Sequence, residues 1–153
     1  MEHFYFDSSA LVKRYVAESG TDWMNQLCAA EARNTLYTVR ISGAEIIAAL
    51  FRRARTGELA VPDVQAAATK FKDDFHKRYQ IVEVKEQLIQ TAMILAERHA
   101  LRVYDAVKLA AALELKATRD SLALSPIHFV CADHKLNEAA AEEGLTPENP
   151  NAH

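Results

Sequence analysis

The sequence predicts an α/β domain, a central parallel sheet of four to five strands covered by helices on both faces. Short apolar runs alternate with longer stretches of helical periodicity along the whole chain. Strands that alternate with helices in this way lie parallel, with the crossover helices packed on the faces of the sheet. Half of the 153 residues are apolar, which at this length supplies one core and about one domain. Residues 1–146 read as that single domain and residues 147–153 as a short C-terminal tail. No internal repeat, low-complexity tract or linker divides them.

The first strand is the aromatic run His3 to Phe6, and apolar residues at helical spacing follow from Ser8 to Ala17. Gly20-Thr21 breaks the chain before a second helix over Asp22 to Ala32. Asn34 to Val39, rich in Thr, Tyr and Val, reads as the second strand, and Ser42 to Arg55 as a long amphipathic helix ending at Gly57. Pro62 starts a helix that runs to about Tyr79, with Ala66, Ala67, Phe71 and Phe75 inward and Lys70, Lys72, Asp73, Asp74 and Lys77 outward. Ile81 to Val84 is the third strand, Glu86 to His99 a helix, and Tyr104 to Thr118 an Ala- and Leu-rich helix expected to be largely buried. A polar break from Thr118 to Pro126 precedes the fourth strand, Ile127 to Cys131. The last helix, His134 to Glu143, is closed by Gly144. Any fifth strand in the tail is short and at an edge, because it holds Pro147 and Pro150.

A formal charge of −3 lacks the basic balance of a protein held to nucleic acid mainly by electrostatics. A cluster of acids at one site would account for a deficit that small. Cys28 and Cys131 have neither metal-ligand spacing nor a secretory context, so they read as buried free thiols in a reducing compartment. No signal peptide is visible and no apolar run approaches the ~18 residues of a membrane span, which predicts a cytoplasmic protein that does not engage a membrane. The four glycines form neither GxGxxG nor GxxxxGK, so a dinucleotide or P-loop site lacks support.

Four carboxylates stand out by their settings. Asp7 follows the first strand and Asp133 the fourth, Glu45 lies between Gly43-Ala44 and Ile46-Ile47, and Asp105 opens the run Ala106-Val107-Lys108-Leu109-Ala110. Acids in such apolar company are costly to ionise unless paired, and a hard cation with oxygen ligands removes that cost. In an open parallel sheet, ligands bind beyond the carboxyl ends of the strands where strand order reverses, and Asp7 and Asp133 sit at such ends. Each acid also has an ordinary explanation: a helix N-cap for Asp7 and Asp133, a partner for the helix dipole for Asp105, and an exposed surface position for Glu45. Cations follow two of the acids, Lys13 and Arg14 after Asp7 and Arg52, Arg53 and Arg55 after Glu45. They are candidate phosphate contacts or, more plainly, helix-end cations.

Four segments carry a resemblance: Phe6-Asp7-Ser8-Ser9-Ala10-Leu11-Val12-Lys13, Ser42-Gly43-Ala44-Glu45-Ile46, Tyr104-Asp105-Ala106-Val107-Lys108-Leu109-Ala110, and Ala132-Asp133-His134-Lys135-Leu136 with Gly144-Leu145. In this order, with helix-rich spacers, the chain resembles the PIN-domain family, and most closely the VapC-type toxin ribonucleases of bacterial toxin–antitoxin pairs. The resemblance implies a three-layer α/β/α sandwich and endonucleolytic hydrolysis of RNA. It implies one or two Mg²⁺ or Mn²⁺ ions on Asp7, Glu45, Asp105 and Asp133, with Ser9 orienting a carboxylate or a metal-bound water; the ordinary reading of Ser9 is a first-turn hydroxyl bonding its own backbone. It also implies a homodimer and a VapB-like antitoxin partner. Where family members often carry Ser or Thr two residues before the last acid, this chain has Cys131, a weaker hydrogen-bond partner.

Two other classes compete. A catalytically silent PIN-like module would bind RNA or protein without cleaving it. A phospho-acceptor or phosphohydrolase domain would use a strand-end Asp as nucleophile, but Asp7-Ser8-Ser9 lacks the second Asp that such phosphatases commonly place two residues on.

Overall fold

Alternation along each strand divides the apolar residues between two layers. In the computed structural model, which describes residues 1–153, β1 (His3–Phe6), β2 (Thr35–Val39), β3 (Gln80–Val82), β4 (His128–Val130) and β5 (Thr146–Glu148) form one sheet. Their order is β3-β2-β1-β4-β5, with every neighbouring pair parallel. Successive side chains on a strand point to opposite faces. Phe4, Phe6, Leu36 and Val130 thus enter one core, while Tyr5, Val39, Phe129 and Cys131 enter the other. The first core is roofed by α1 (Ser8–Leu11), α2 (Thr21–Leu27), α3 (Ile41–Arg55) and α4 (Val61–Lys77); the second by α5 (Glu86–His99), α6 (Val103–Ser121) and α7 (His134–Glu142). The result is the expected three-layer α/β/α sandwich.

Several element ends differ from the sequence reading, and side-chain hydrogen bonds explain most of them. The helix expected over Ser8 to Ala17 stops at Leu11 and tightens into a 3₁₀ turn over Val12–Arg14. Thr21 Oγ1 donates to the Lys13 carbonyl at 2.8 Å, which takes that acceptor from a continuing helix. The helix expected to reach Ala32 ends at Leu27, where Asn34 Nδ2 donates to the Leu27 carbonyl at 3.0 Å and the Arg78 guanidinium donates to that of Cys28. Conversely, α6 continues past Thr118 to Ser121. Arg119 is buried there and donates from Nε to the Ser125 carbonyl at 2.7 Å, holding the last turn in place.

The inward stripe of α4 is rotated from the expected one. Val64, Ala68 and Phe71 are buried while Ala66 is exposed, and Asp74, expected to face water, is buried at 8 % exposure. Asp74 is drawn inward by Arg14 and by the Tyr15 hydroxyl, which donates to its Oδ2 at 2.8 Å. Gly43 permits the close approach of α3 to α4, since a Cβ there would lie 3.0 Å from the Phe75 ring.

The C-terminal residues, expected as a tail from 147, pack on the domain. Thr146–Glu148 adds a short parallel edge strand to β4, and Pro150–Ala152 forms a 3₁₀ turn with Pro150 buried. Gly20, at φ +87°, lies so close to Pro150 that a Cβ would meet its carbonyl oxygen at 2.6 Å. Trp23 is half-buried and stacks on the His153 ring at 4.0 Å between centroids. No helix is long and apolar enough to cross a membrane.

Candidate active site

Strand order reverses between β1 and β4, the place where an open parallel sheet leaves a crevice beyond its carboxyl ends. A cleft of about 680 Å³ opens there, and Asp7, Glu45, Asp105 and Asp133 all line it. Asp7 directly follows β1 and is 1 % exposed. Its Oδ2 caps α1 by accepting from the Ser9 amide at 3.0 Å, and the Ser9 hydroxyl donates to the same oxygen. The N-cap explanation therefore holds for Asp7 without displacing it from the cleft, because Oδ1 remains turned toward the Lys108 ammonium, 2.9 Å away.

Ser9 joins the two strand ends. While donating to Asp7, its Oγ accepts from the Ala132 amide at 3.0 Å and lies 3.6 Å from Cys131 Sγ. Cys131 in turn accepts from the Asp133 amide at 3.3 Å. Thus the thiol that stands where Ser or Thr was expected still supports the turn after β4, and burial holds it well above the usual thiol range as a neutral group. Asp133 caps α7 through Oδ1, which accepts from the Leu136 amide at 2.9 Å.

The centre of the cluster is a residue that the sequence reading left unmarked. Lys108 extends from α6, and its Nζ lies 2.9 Å from Asp7 Oδ1, 3.2 Å from Glu45 Oε2 and 3.3 Å from Asp105 Oδ1. Three of the four acids thus meet around one ammonium that is only 5 % exposed. Burial works against its charge, but Asp7 and Glu45 outweigh that and hold its pKa above the ordinary lysine value. The available signal was helical spacing: Lys108 follows Asp105 by one turn and must share its face. Asp7 Oδ1, which Lys108 meets as a charge, and Glu45 Oε1, the oxygen that Lys108 leaves free, are both buried without an aligned hydrogen-bond donor. No three of the acids stand close enough to enclose a metal ion as they are placed around Lys108.

The five candidate phosphate contacts separate into two groups. Lys13 is buried and paired with Glu18 at 3.2 Å, and Arg14 is half-buried with Nη1 donating to the Tyr79 hydroxyl at 2.6 Å; neither lines the cleft. The expectation that they touch phosphate is corrected: both are consumed in holding the first 3₁₀ turn to its neighbours. Arg52, Arg53 and Arg55 line the cleft, Arg53 tied to Glu18 and Glu58, Arg52 and Arg55 exposed without an ion pair. Two further lining residues were missed, Arg102 and the 60 % exposed Tyr104. Both precede Asp105 in sequence, and only exposure distinguishes Tyr104 from the core aromatics.

These features define a class, an α/β/α domain with an acidic cleft at the switch point of its parallel sheet. Two curated relatives narrow it: Ribonuclease VapC45 of Mycobacterium tuberculosis strain CDC 1551 / Oshkosh and Ribonuclease VapC49 of strain ATCC 25618 / H37Rv. Each is 36 % identical over 109 residues, covering 71 % of this chain and 74 % of the relative. The chain belongs to the VapC ribonuclease family of PIN-domain proteins. Solved structures share the fold across 96 % of the chain. PAE2754 from Pyrobaculum aerophilum matches over 83 % of its own length with a TM-score of 0.63 at 17 % identity. A toxin–antitoxin complex from Klebsiella pneumoniae matches over 97 % with 0.57 at 14 % identity. VapBC2 from Rickettsia felis, bound to a DNA fragment from its promoter, matches over 98 % with 0.58 at 16 % identity. No family model matches the chain.

Proposed function

We propose that the chain is a Mg²⁺- or Mn²⁺-dependent endoribonuclease that hydrolyses RNA phosphodiester bonds and acts as the toxin of a toxin–antitoxin pair. The observation that carries this reading is the meeting of Asp7, Glu45 and Asp105 in a cleft also lined by Asp133, in a chain 36 % identical to two proteins named ribonucleases. The donor set suits a hard cation, since all four groups offer carboxylate oxygen. Asp7 Oδ1 and Glu45 Oε1, buried without a donor, are the acceptors such an ion would satisfy. When bound, the ion supplies the positive charge that activates water and stabilises the leaving 3′-oxygen.

The chain's own residues do the rest. Ser9 holds the Asp7 carboxylate and the turn after β4 in one hydrogen-bonded unit, so the ligands keep their places when substrate enters. Arg52, Arg55 and Arg102 offer positive charge to the RNA backbone at the cleft, and Tyr104 offers an exposed ring on which a base can stack. Nothing in the cleft pairs Ser or Cys with His, so the reading needs no covalent intermediate. A VapB-like antitoxin belongs to the proposal, supported by the toxin–antitoxin assemblies among the structural neighbours, and a homodimer and a cytoplasmic setting complete it.

Lys108 favours one alternative, a silent RNA- or protein-binding module in which the ammonium has replaced the metal for good. Cleavage of structured and unstructured RNAs by purified protein in Mg²⁺, Mn²⁺ or EDTA, beside Asp7→Asn and Asp105→Asn, separates the two. The nuclease cleaves only with metal and loses at least about 100-fold in rate in both variants while remaining folded, a loss comparable to removing a principal electrostatic contributor. Equal cleavage in EDTA, or in the variants, would sink the metal-dependent reading. Absence of both cleavage and metal binding would favour the silent module.

A further inference from the structure

Lys108 stands where three of the acids converge, and the core holds it there. It lies in the buried run Ala106 to Ala112 of α6, and its carbonyl accepts from the fully buried Tyr5 hydroxyl at 2.8 Å. The Nζ lies within 3.3 Å of one oxygen from each of three carboxylates, Asp7 Oδ1, Glu45 Oε2 and Asp105 Oδ1, and at 3.3 Å from Ser8 Oγ. The ammonium therefore spaces the acids. No three of them stand close enough to enclose a divalent ion while it lies between them.

The two oxygens of Asp7 make this position decisive. Oδ2 is held by the Ser9 amide and hydroxyl, which cap α1 and tie the exit of β1 to the turn after β4. Oδ1 faces Lys108 at 2.9 Å and has no hydrogen-bond donor. Mg²⁺ takes carboxylate oxygen at about 2.1 Å, so an ion on Oδ1 would stand at most about 5 Å from the ammonium. Two cations that close repel strongly where burial leaves little water to screen them. The lysine side chain can give way without disturbing α6, because its charge sits at the end of a flexible four-carbon stem. We propose that Lys108 is the resident counter-ion of the acid cluster, and that a divalent ion reaches Asp7 by displacing its ammonium from between the acids into the cleft that Lys108 also lines. Lys108 thereby sets the ion concentration at which the site loads. The inference rests on the metal-dependent reading above and adds a control to it.

The test follows the Lys108 ammonium itself, by nuclear magnetic resonance of the full chain carrying ¹⁵N-labelled lysine during titration with Mg²⁺. Calorimetry on the same samples measures ion affinity, and neither readout depends on RNA cleavage. In EDTA the buried, paired ammonium exchanges slowly with water and gives a resolved resonance, assigned by its loss in Lys108→Arg. Mg²⁺ abolishes that resonance or moves it to the position of the exposed lysines as the ion binds. Lys108→Gln, with no ammonium to move, binds Mg²⁺ at least about tenfold more tightly than the parent chain. A Lys108 resonance that stays in place while calorimetry records binding would overturn the inference and leave the metal-dependent reading standing. So would the lack of a protected resonance in EDTA, or equal affinity in the parent and Lys108→Gln. Binding by Lys108→Gln but not by the parent would uphold the exclusion of one cation by the other and remove the metal-dependent reading; binding by neither would remove both. Should Lys108→Gln fail to fold, the ammonium resonance of the parent chain decides alone.

Discussion

Glu45 shows how a single position in the cluster balances opposing forces. Burial raises its carboxyl pKa above the ordinary value, the Lys108 ammonium pulls it back, and Asp7 and Asp105 push it up again; the net direction is upward. Its protonation therefore favours the folded state. That contribution is full below the unfolded value of about 4.5 and is lost as pH rises through the raised folded value. Glu45→Gln keeps the shape and removes the charge, so in EDTA at pH 7 it should stabilise the fold, and the gain should fade as pH drops to 4. Urea unfolding at the two pH values measures this, and a loss of stability at pH 7 would mean that attraction to Lys108 outweighs burial. The four acids were legible in the sequence because each interrupts an apolar run at a strand exit or helix start. Lys108 was not, because a lysine between Val107 and Leu109 looks like any helical cation until the tertiary fold points it at Asp7, far away in sequence.

Helix ends and helix contacts decide how rigidly the acids are held. Asp133 has two duties that substitution can separate: capping α7, and lining the cleft. Asp133→Ala should cost about 1 kcal/mol of stability by uncapping the helix, whereas Asp133→Asn retains a capping oxygen and stays near the parent. Equal stability of the two variants in chemical denaturation would show that the cap contributes nothing. On the opposite layer, Arg14, Tyr15, Asp74 and Tyr79 form a buried polar knot between the first 3₁₀ turn and the end of α4. Burial pushes the Tyr79 phenol up to about 12, so it remains a neutral donor in the knot. Asp74→Ala leaves Arg14 charged and short of a partner and should cost about 3 kcal/mol, read as a lower urea midpoint. Helical periodicity placed α4 correctly but aimed Asp74 at water, because only the tertiary contact with Arg14 and Tyr15 makes burying a carboxylate favourable.

At the scale of the whole molecule, the proposed ion should couple the two strand exits and the two helices that carry the acids. Any ligand that binds only the folded state stabilises it by mass action, about 2.7 kcal/mol at a hundredfold excess over Kd. For a chain of this size that corresponds to a rise in Tm on the order of several degrees. Saturating Mn²⁺ should produce this rise in a calorimetric scan, and Asp7→Asn should abolish most of it. An equal rise in the variant would place the stabilising ion elsewhere on the surface.

The strand and helix alternation and the settings of the four acids were determined by local sequence, since periodicity and strand-end placement are short-range properties. Tertiary structure decided which groups meet. It set β1 beside β4, consumed Lys13 and Arg14 in structural pairs, left Arg52, Arg55 and Tyr104 exposed at the cleft, and folded the C-terminal residues onto the domain. It also brought Lys108 among three acids from separate parts of the chain. Charges interact through space and not along the chain, so their balance exists only once the sheet and both helical layers have closed around them.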